Sequence, residues 1–310
     1  MIDTSTNFIS NTVNLAVGLQ QIAITPNGQY AYVTNSIQNT VDVINTLINQ
    51  VSATVSVGSR PVGVAITPNG ERVYITNGVT RNVSVINTST NTVSGTIPVG
   101  ISPVGIAISP TQNLAYVANF IGNNVSVINT SNNTVTATIT VGTEPQYVAF
   151  TPNGAYAYVT NEGTNNVSII NTLNNTVTTT VPVGSNPIGV AFTPDGKHVY
   201  VANYGSGSVT VIQTSNNTVS ATISVGIGAN PLSIAITPSG DYAYVTNFTS
   251  NNVSVIDTST NQVTSIISVG RGPAGIAIGQ HPSLPAKGNA LILKESTRKY
   301  TSNYTQKGSQ

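Results

Sequence analysis

The side chains able to carry acid–base, nucleophilic or metal chemistry are sparse in this chain. Of its 310 residues two are histidine, nine are Asp or Glu, and none is cysteine. Without cysteine there is neither a disulfide framework nor a thiolate metal site. His198 lies in KHVY, at a position that other copies of the stretch fill with Tyr30, Arg72, Tyr156 and Tyr242. It therefore reads as a surface residue of a repeated strand rather than a base. His281 sits in GQHPSLP with no acidic neighbour. Two separated histidines give little material for a His-rich metal site or a Ser–His–Asp triad. Carboxylate and amide oxygens can hold a hard cation such as calcium, and Glu144 and Glu162 are the candidate acids for it. Neither a Gly-rich phosphate loop nor a basic–aromatic stripe for nucleic acid is present.

The elements that must position these residues are written as a repeat. YVTN stands at 32–35, YITN at 74–77 and YVAN at 116–119, with further copies at 158–161, 200–203 and 244–247. One copy, SRPVGVAITPNGERVYITNGVTRNVSVINTSTNTVSGTIPVG (59–100), divides into four β-rich runs: Val62 to Ile66, Arg72 to Thr76, Val83 to Asn87 and Val93 to Val99. Each has strand length and ends in turn residues. Nothing shows the 3.6-residue apolar period of a helix. TPNG (67–70) puts proline second in a tight turn and glycine at its close. In NTSTN (87–91) Asn and Thr side chains can bond their own backbone, and the Asn ending each YVTN is expected to do the same at its loop.

Four antiparallel strands per repeat of about 42 residues predict the blades of a β-propeller. The fourth strand tolerates Pro98 and Pro182, so it belongs at the outer edge. The motif and its spacing resemble the YVTN-repeat β-propellers of archaeal cell-surface proteins and bacterial propellers, over roughly residues 1–280. Six complete copies occupy about 19–270. IDTSTN at 2–7 repeats IDTSTN at 256–261, so the N-terminus enters mid-blade and supplies an outer strand from about Ile9 to Val17. GPAGIAIG (272–279) and NALILKE (289–295) supply the inner two. Residues 1–18 with 271–295 then make a seventh blade and close the ring, removing open sheet edges. The expected organisation is an all-β, seven-bladed propeller over 1–295 as one domain, followed by a basic tail, 296–310, of a third strand and a frayed end.

Aligning the protein with itself separates framework from individuality. Positions shared by all blades serve packing; positions where blades differ are free to serve a ligand. The links between blades and the loops after YVTN should share one face, the channel mouth. The links carry Gln20, Arg60, Glu144, Asn186, Asn230 and Arg271, and the innermost strands carry Gln21, Gln146, Tyr147 and Ser233. Phe120, Glu162, Tyr204 and Phe248 follow the motif, with Arg81 in a neighbouring loop. Gln20, Gln21, Arg60, Glu144, Gln146, Tyr147, Glu162, Asn186, Tyr204 and Arg271 form the candidate binding set. Exchanging Glu144 for Ser and Tyr147 for Gly, their counterparts elsewhere, should leave folding nearly intact. Asn-X-Ser/Thr sequons abound because NVS opens each third strand; Asn132, Asn174 and Asn216, in hairpin turns, are the accessible ones for glycosylation.

Only 6% of residues are charged, against roughly a quarter in ordinary domains, so neutral Asn, Thr and Ser supply the polarity. The skin and the resemblance point to a non-enzymatic surface or extracellular module. It would be monomeric, bind a protein or glycan partner at its mouth, and need no cofactor, nucleic acid or membrane span. The alternative is a lactonase-like hydrolase or lyase with calcium or another divalent cation in the channel. The resemblance implies acidic and Asn ligands for the lactonase type, and a histidine at the mouth, which this chain lacks, for the lyase type. The first residues lack the pattern of a signal peptide, which leaves a cytoplasmic location open.

Overall fold

The computed structural model describes residues 1–281 and 284–294. Its strands form seven four-stranded antiparallel sheets arranged as the blades of a propeller. In blade 2 the strands are Pro61–Ile66, Arg72–Asn77, Asn82–Asn87 and Thr92–Pro98. These lie within one residue of the runs read from sequence. The innermost strands contact one another in order, and Pro273–His281 of blade 7 meets Leu19–Ile24 of blade 1. The ring is therefore closed.

The turns form as their residues dictate. The Gly70 N–H donates to Thr67 O at 2.8 Å, and Gly70 has φ 73°. Asn87 Oδ1 accepts from Ser89 N at 2.9 Å, while Asn91 takes the left-handed φ of 52° that Asn tolerates. One such left-handed Asn, at 7, 49, 91, 133, 175, 217 and 261, closes the outer hairpin of every blade.

Each letter of YVTN does separate work. The tyrosine reaches the next blade. Tyr32, Tyr74, Tyr116, Tyr158, Tyr200 and Tyr244 donate their hydroxyls to the outer-hairpin Asn91, Asn133, Asn175, Asn217, Asn261 and Asn7 at 2.5–2.8 Å. Burial pushes Tyr32, Tyr116, Tyr158, Tyr200 and Tyr244 up to about 12, so these donors keep their protons at neutral pH. The valine or isoleucine enters the apolar layer between blades, as Ile75 does with Val64 and Tyr32. Burying such a side chain contributes about 1.5–3 kcal/mol. The threonine bonds the next blade's inner strand: Thr34 Oγ1 to Val62 O at 2.7 Å, Thr160 Oγ1 to Ile188 O at 2.7 Å. Ala118 and Ala202 forgo that bond.

The asparagine departs from expectation. Asn77 is fully buried and donates sideways, to Asn82 Oδ1 at 2.8 Å and Ser84 Oγ at 2.9 Å, rather than capping its loop backbone. Asn35 alone among the six accepts from the loop backbone, at Ile37 N and Gln38 N. Gly58 makes room for Asn77, since a Cβ there would stand 2.7 Å from the Asn77 amide.

Blade 7 is built from both ends of the chain, in the order Phe8–Ile9, Ile2–Asp3, Leu284–Lys294, Pro273–His281. The mid-blade entry holds, but the outer strand is shorter than the expected Ile9 to Val17. The third strand offers only Ile2 and Asp3 as ladder partners, so pairing stops at Ile9. Beyond it Val13 and Leu15 pack on Leu19, Ile22 and Leu291 instead, and the seam retains a cavity of about 190 Å³. Leu291 stands where other blades have the tyrosine: Ala277 pairs with Leu291 as Ala235 pairs with Tyr244. Its would-be partner, Asn49 Oδ1 of blade 1, is buried and has no hydrogen-bond partner. The basic tail, 296–310, lies outside the described residues. No helix among the described residues is long and apolar enough to cross a membrane.

Candidate functional site

Blades 1 to 6 present the same mouth scaffold. The residue after the motif donates its backbone N–H to the carbonyl of the link: Ser36 to Gly18, Gly78 to Arg60, Phe120 to Ser102, Glu162 to Glu144, Tyr204 to Asn186 and Phe248 to Asn230, at 2.8–3.0 Å. The links turn in the left-handed region, at Gly18, Arg60 (φ 58°), Ser102, Glu144 (φ 55°), Asn186, Asn230 and Gly272. Gln20 and Arg271, expected at link positions, flank the turning residues Gly18 and Gly272. Arg and Glu are less suited than Gly or Asn to this conformation. The Arg60 and Glu144 N–H groups are held by Asn39 Oδ1 at 2.8 Å and Asn123 Oδ1 at 2.9 Å.

On this scaffold the inner-strand residue and the residue after the motif meet within one blade. Gln20 Nε2 donates to Ser36 Oγ at 3.0 Å. Gln146 Nε2 donates to Glu162 Oε2 in a short hydrogen bond. Among the described residues of the other blades the inner-strand position is apolar, and the motif is followed by Gly78, Phe120, Tyr204 or Phe248. Val62, Val104 and Phe120 form one cluster; Ile188, Leu232, Phe248 and Ala274 form another, with Tyr147 and Tyr204 against it. Burial, with Glu144 adding, raises the Glu162 carboxyl above its ordinary range, while the Gln146 bond partly opposes the shift. Tyr204 is raised by burial and then by Glu162, which marks the two as neighbours across blades 4 and 5.

The expected mouth residues thus gather, with differences. Gln146 is 1% exposed, a buried prop for Glu162 rather than a surface residue. Phe120 and Phe248 are buried, forming part of the floor. Gln21 is also buried, and its Nε2 lacks a partner. Tyr147 packs against the clusters that hold Ile188 and Val190 of the next blade, as a wedge between blades. Replacing this part-buried ring by Gly would forfeit that packing, at about 1–3 kcal/mol, a cost the near-neutral exchange expected from sequence leaves out. Only side-chain partners distant in sequence could have revealed this. Arg81 is exposed with φ 54°. His198 opens a second strand at the opposite end of blade 5 from the mouth; the side chain of His281 lies outside the description. Asn132, Asn174 and Asn216 are exposed and also sit at that opposite end, whereas the Asn247 sequon is buried. No group of three His, Asp or Glu side chains able to hold a metal occurs among the described residues.

With this geometry in hand, the similarities to known proteins can be weighed. A family model described as "Lactonase, 7-bladed beta-propeller" matches residues 133–275, which is blades 4 to 6 with their flanks. No curated protein matches. Hydrazine synthase from Kuenenia stuttgartiensis superposes with a TM-score of 0.79 at 23% identity, covering 93% of this chain and 99% of that one. A functionally unknown protein from Desulfotomaculum acetoxidans gives 0.73 at 22% identity, covering 92% of each chain. At such identities the likeness is one of fold.

Proposed function

We propose that this propeller is a non-enzymatic binding module, at the cell surface or outside the cell, whose mouth takes a protein or glycan partner. One observation carries the reading. Phe120, Glu162, Tyr204 and Phe248 occupy one repeated position and differ there from blade to blade, the two phenylalanines buried and Glu162 and Tyr204 part-exposed, on equivalent backbone bonds in successive blades. Rigid scaffolds that vary at loop positions are where recognition collects. A glycan and peptide array probed with the parent and with the Glu144→Ser and Glu162→Gln variants tests it. Binding that both variants retain in full would move the site away from the mouth.

A second reading, a lactonase-like hydrolase using a divalent cation, draws on the family match over 133–275. The side chains fit that cation poorly. Glu144 and Glu162 share one blade; the positions matching Glu162 in blades 2, 3, 5 and 6 are Gly78, Phe120, Tyr204 and Phe248, and those matching Gln146 in blades 2, 3, 5, 6 and 7 are Val62, Val104, Ile188, Leu232 and Ala274. Calcium takes six to eight oxygens, and apolar side chains supply none. Metal analysis of the purified protein together with a lactone-hydrolysis assay discriminates the two. A stoichiometric cation and turnover lost in Glu162→Gln would favour the enzyme.

A further inference from the structure

We infer that the Glu162 corner of the mouth binds a cationic nitrogen, the ammonium of a lysine or the guanidinium of an arginine on a partner polypeptide. This rests on the mouth being the binding face and goes further by naming the group it receives. The corner is rich in acceptors and poor in donors. Gln146 turns its amide nitrogen to Glu162 Oε2; the opposite orientation would set two oxygens against each other. Its Oε1 is thereby directed away from that bond, and this atom is buried with no hydrogen-bond partner. Such an atom is costly unless a donor arrives.

The second observation is electrostatic. Glu144 and Glu162 lie on one blade, joined by the Glu162 N–H to Glu144 O bond at 3.0 Å, and the Glu144 charge adds to the raising of the Glu162 carboxyl. No Lys or Arg pairs with either among the described residues, where the ion pair seen is Lys197 with Asp195 at the opposite end of blade 5. The third is the wall. Tyr204, at the same repeated position on the following blade, feels the Glu162 charge. Carboxylates beside an aromatic ring favour a cation that can donate several hydrogen bonds and lie against a π face. A neutral sugar would bring acceptors as well as donors to a place already crowded with acceptors.

The test uses the full chain and four probes: Nα-acetyl-lysine amide, Nα-acetyl-arginine amide, Nα-acetyl-glutamine amide as the uncharged control, and spermidine as a cation without a peptide backbone. Binding is followed by NMR shifts or calorimetry at low salt. The lysine or arginine probe should bind, the glutamine probe at least tenfold more weakly, and Glu162→Gln should remove that preference without lowering the melting temperature. Spermidine binding as well as the peptide probes would keep the cation site but assign it to free polyamines, overturning the polypeptide source. Equal binding of charged and uncharged probes, or full binding by Glu162→Gln, overturns the proposal. Should glycan fragments bind parent and Glu162→Gln alike while Glu144→Ser weakens them, the mouth stands as a binding face and the cation does not. If none of the probes, glycans or peptides binds at the mouth, both readings fail.

Discussion

The same substitution should have opposite consequences in adjacent blades. Asn91 and Asn49 occupy equivalent left-handed positions, φ 52° and 55°, so glycine relieves the same backbone preference at each. Asn91 Oδ1 receives the Tyr32 hydroxyl at 2.8 Å, whereas Asn49 Oδ1 is buried with no partner because Leu291 stands where the tyrosine would be. Asn91→Gly removes this part-buried hydrogen bond and leaves the hydroxyl of Tyr32 unpaired, at about 1–3 kcal/mol in all. Relief of the left-handed backbone returns somewhat under about 1 kcal/mol. A net loss of about 1–2 kcal/mol follows, and with it a drop of about 2–6 °C in melting temperature. Asn49→Gly deletes an acceptor that is already unsatisfied, so it should be neutral or raise stability. Leu291→Tyr, beside a cavity of about 190 Å³, should create the missing bond and make Asn49→Gly costly in its background. Calorimetry or urea unfolding of the four proteins of that cycle, with Asn91→Gly alongside, reads the coupling directly. Equal losses for Asn91→Gly and Asn49→Gly would refute the tyrosine–asparagine clamp as a source of stability.

Three further outcomes follow from individual contacts. Glu162 has its carboxyl raised by burial, so the folded state favours its protonated form; that contribution is full below the unfolded pKa and lost as pH rises through the folded one. Glu162→Gln should therefore melt higher than the parent at pH 7, and the gain should vanish in melts below about pH 4, near the ordinary glutamate value. Thr76→Ala, which removes the Thr76 Oγ1 bond to Val104 O and the acceptor of the Gly63 N–H, should lose about 1–3 kcal/mol in urea unfolding. Deleting residues 1–18 removes Ile2, Val13 and Leu15 from the seam and exposes the edge of the Leu284–Lys294 strand; an unchanged melting temperature would contradict closure through the N-terminus.

Much of this architecture was already written locally. The 42-residue spacing, the TPNG and NTSTN turns and the alternation of short β-rich runs specify strands and hairpins through interactions within a few residues, and the identity of 2–7 with 256–261 told where the ring joins. The meaning of the motif was not legible in the same way. The tyrosine's partner lies about 59 residues on, and the threonine's 28 residues on, because a propeller sets residues far apart in sequence across one blade interface. The site divides along the same line. Sequence marked Glu162, Gln146 and Tyr147 as departures from the repeat, since a repeated chain carries its own reference. Only packing decided that Gln146 is buried beneath Glu162, that Tyr147 is a wedge between blades, and that Asn49 is left without its tyrosine. Burial and pairing depend on which blade comes next, and closing the ring is what sets blade 7 beside blade 1.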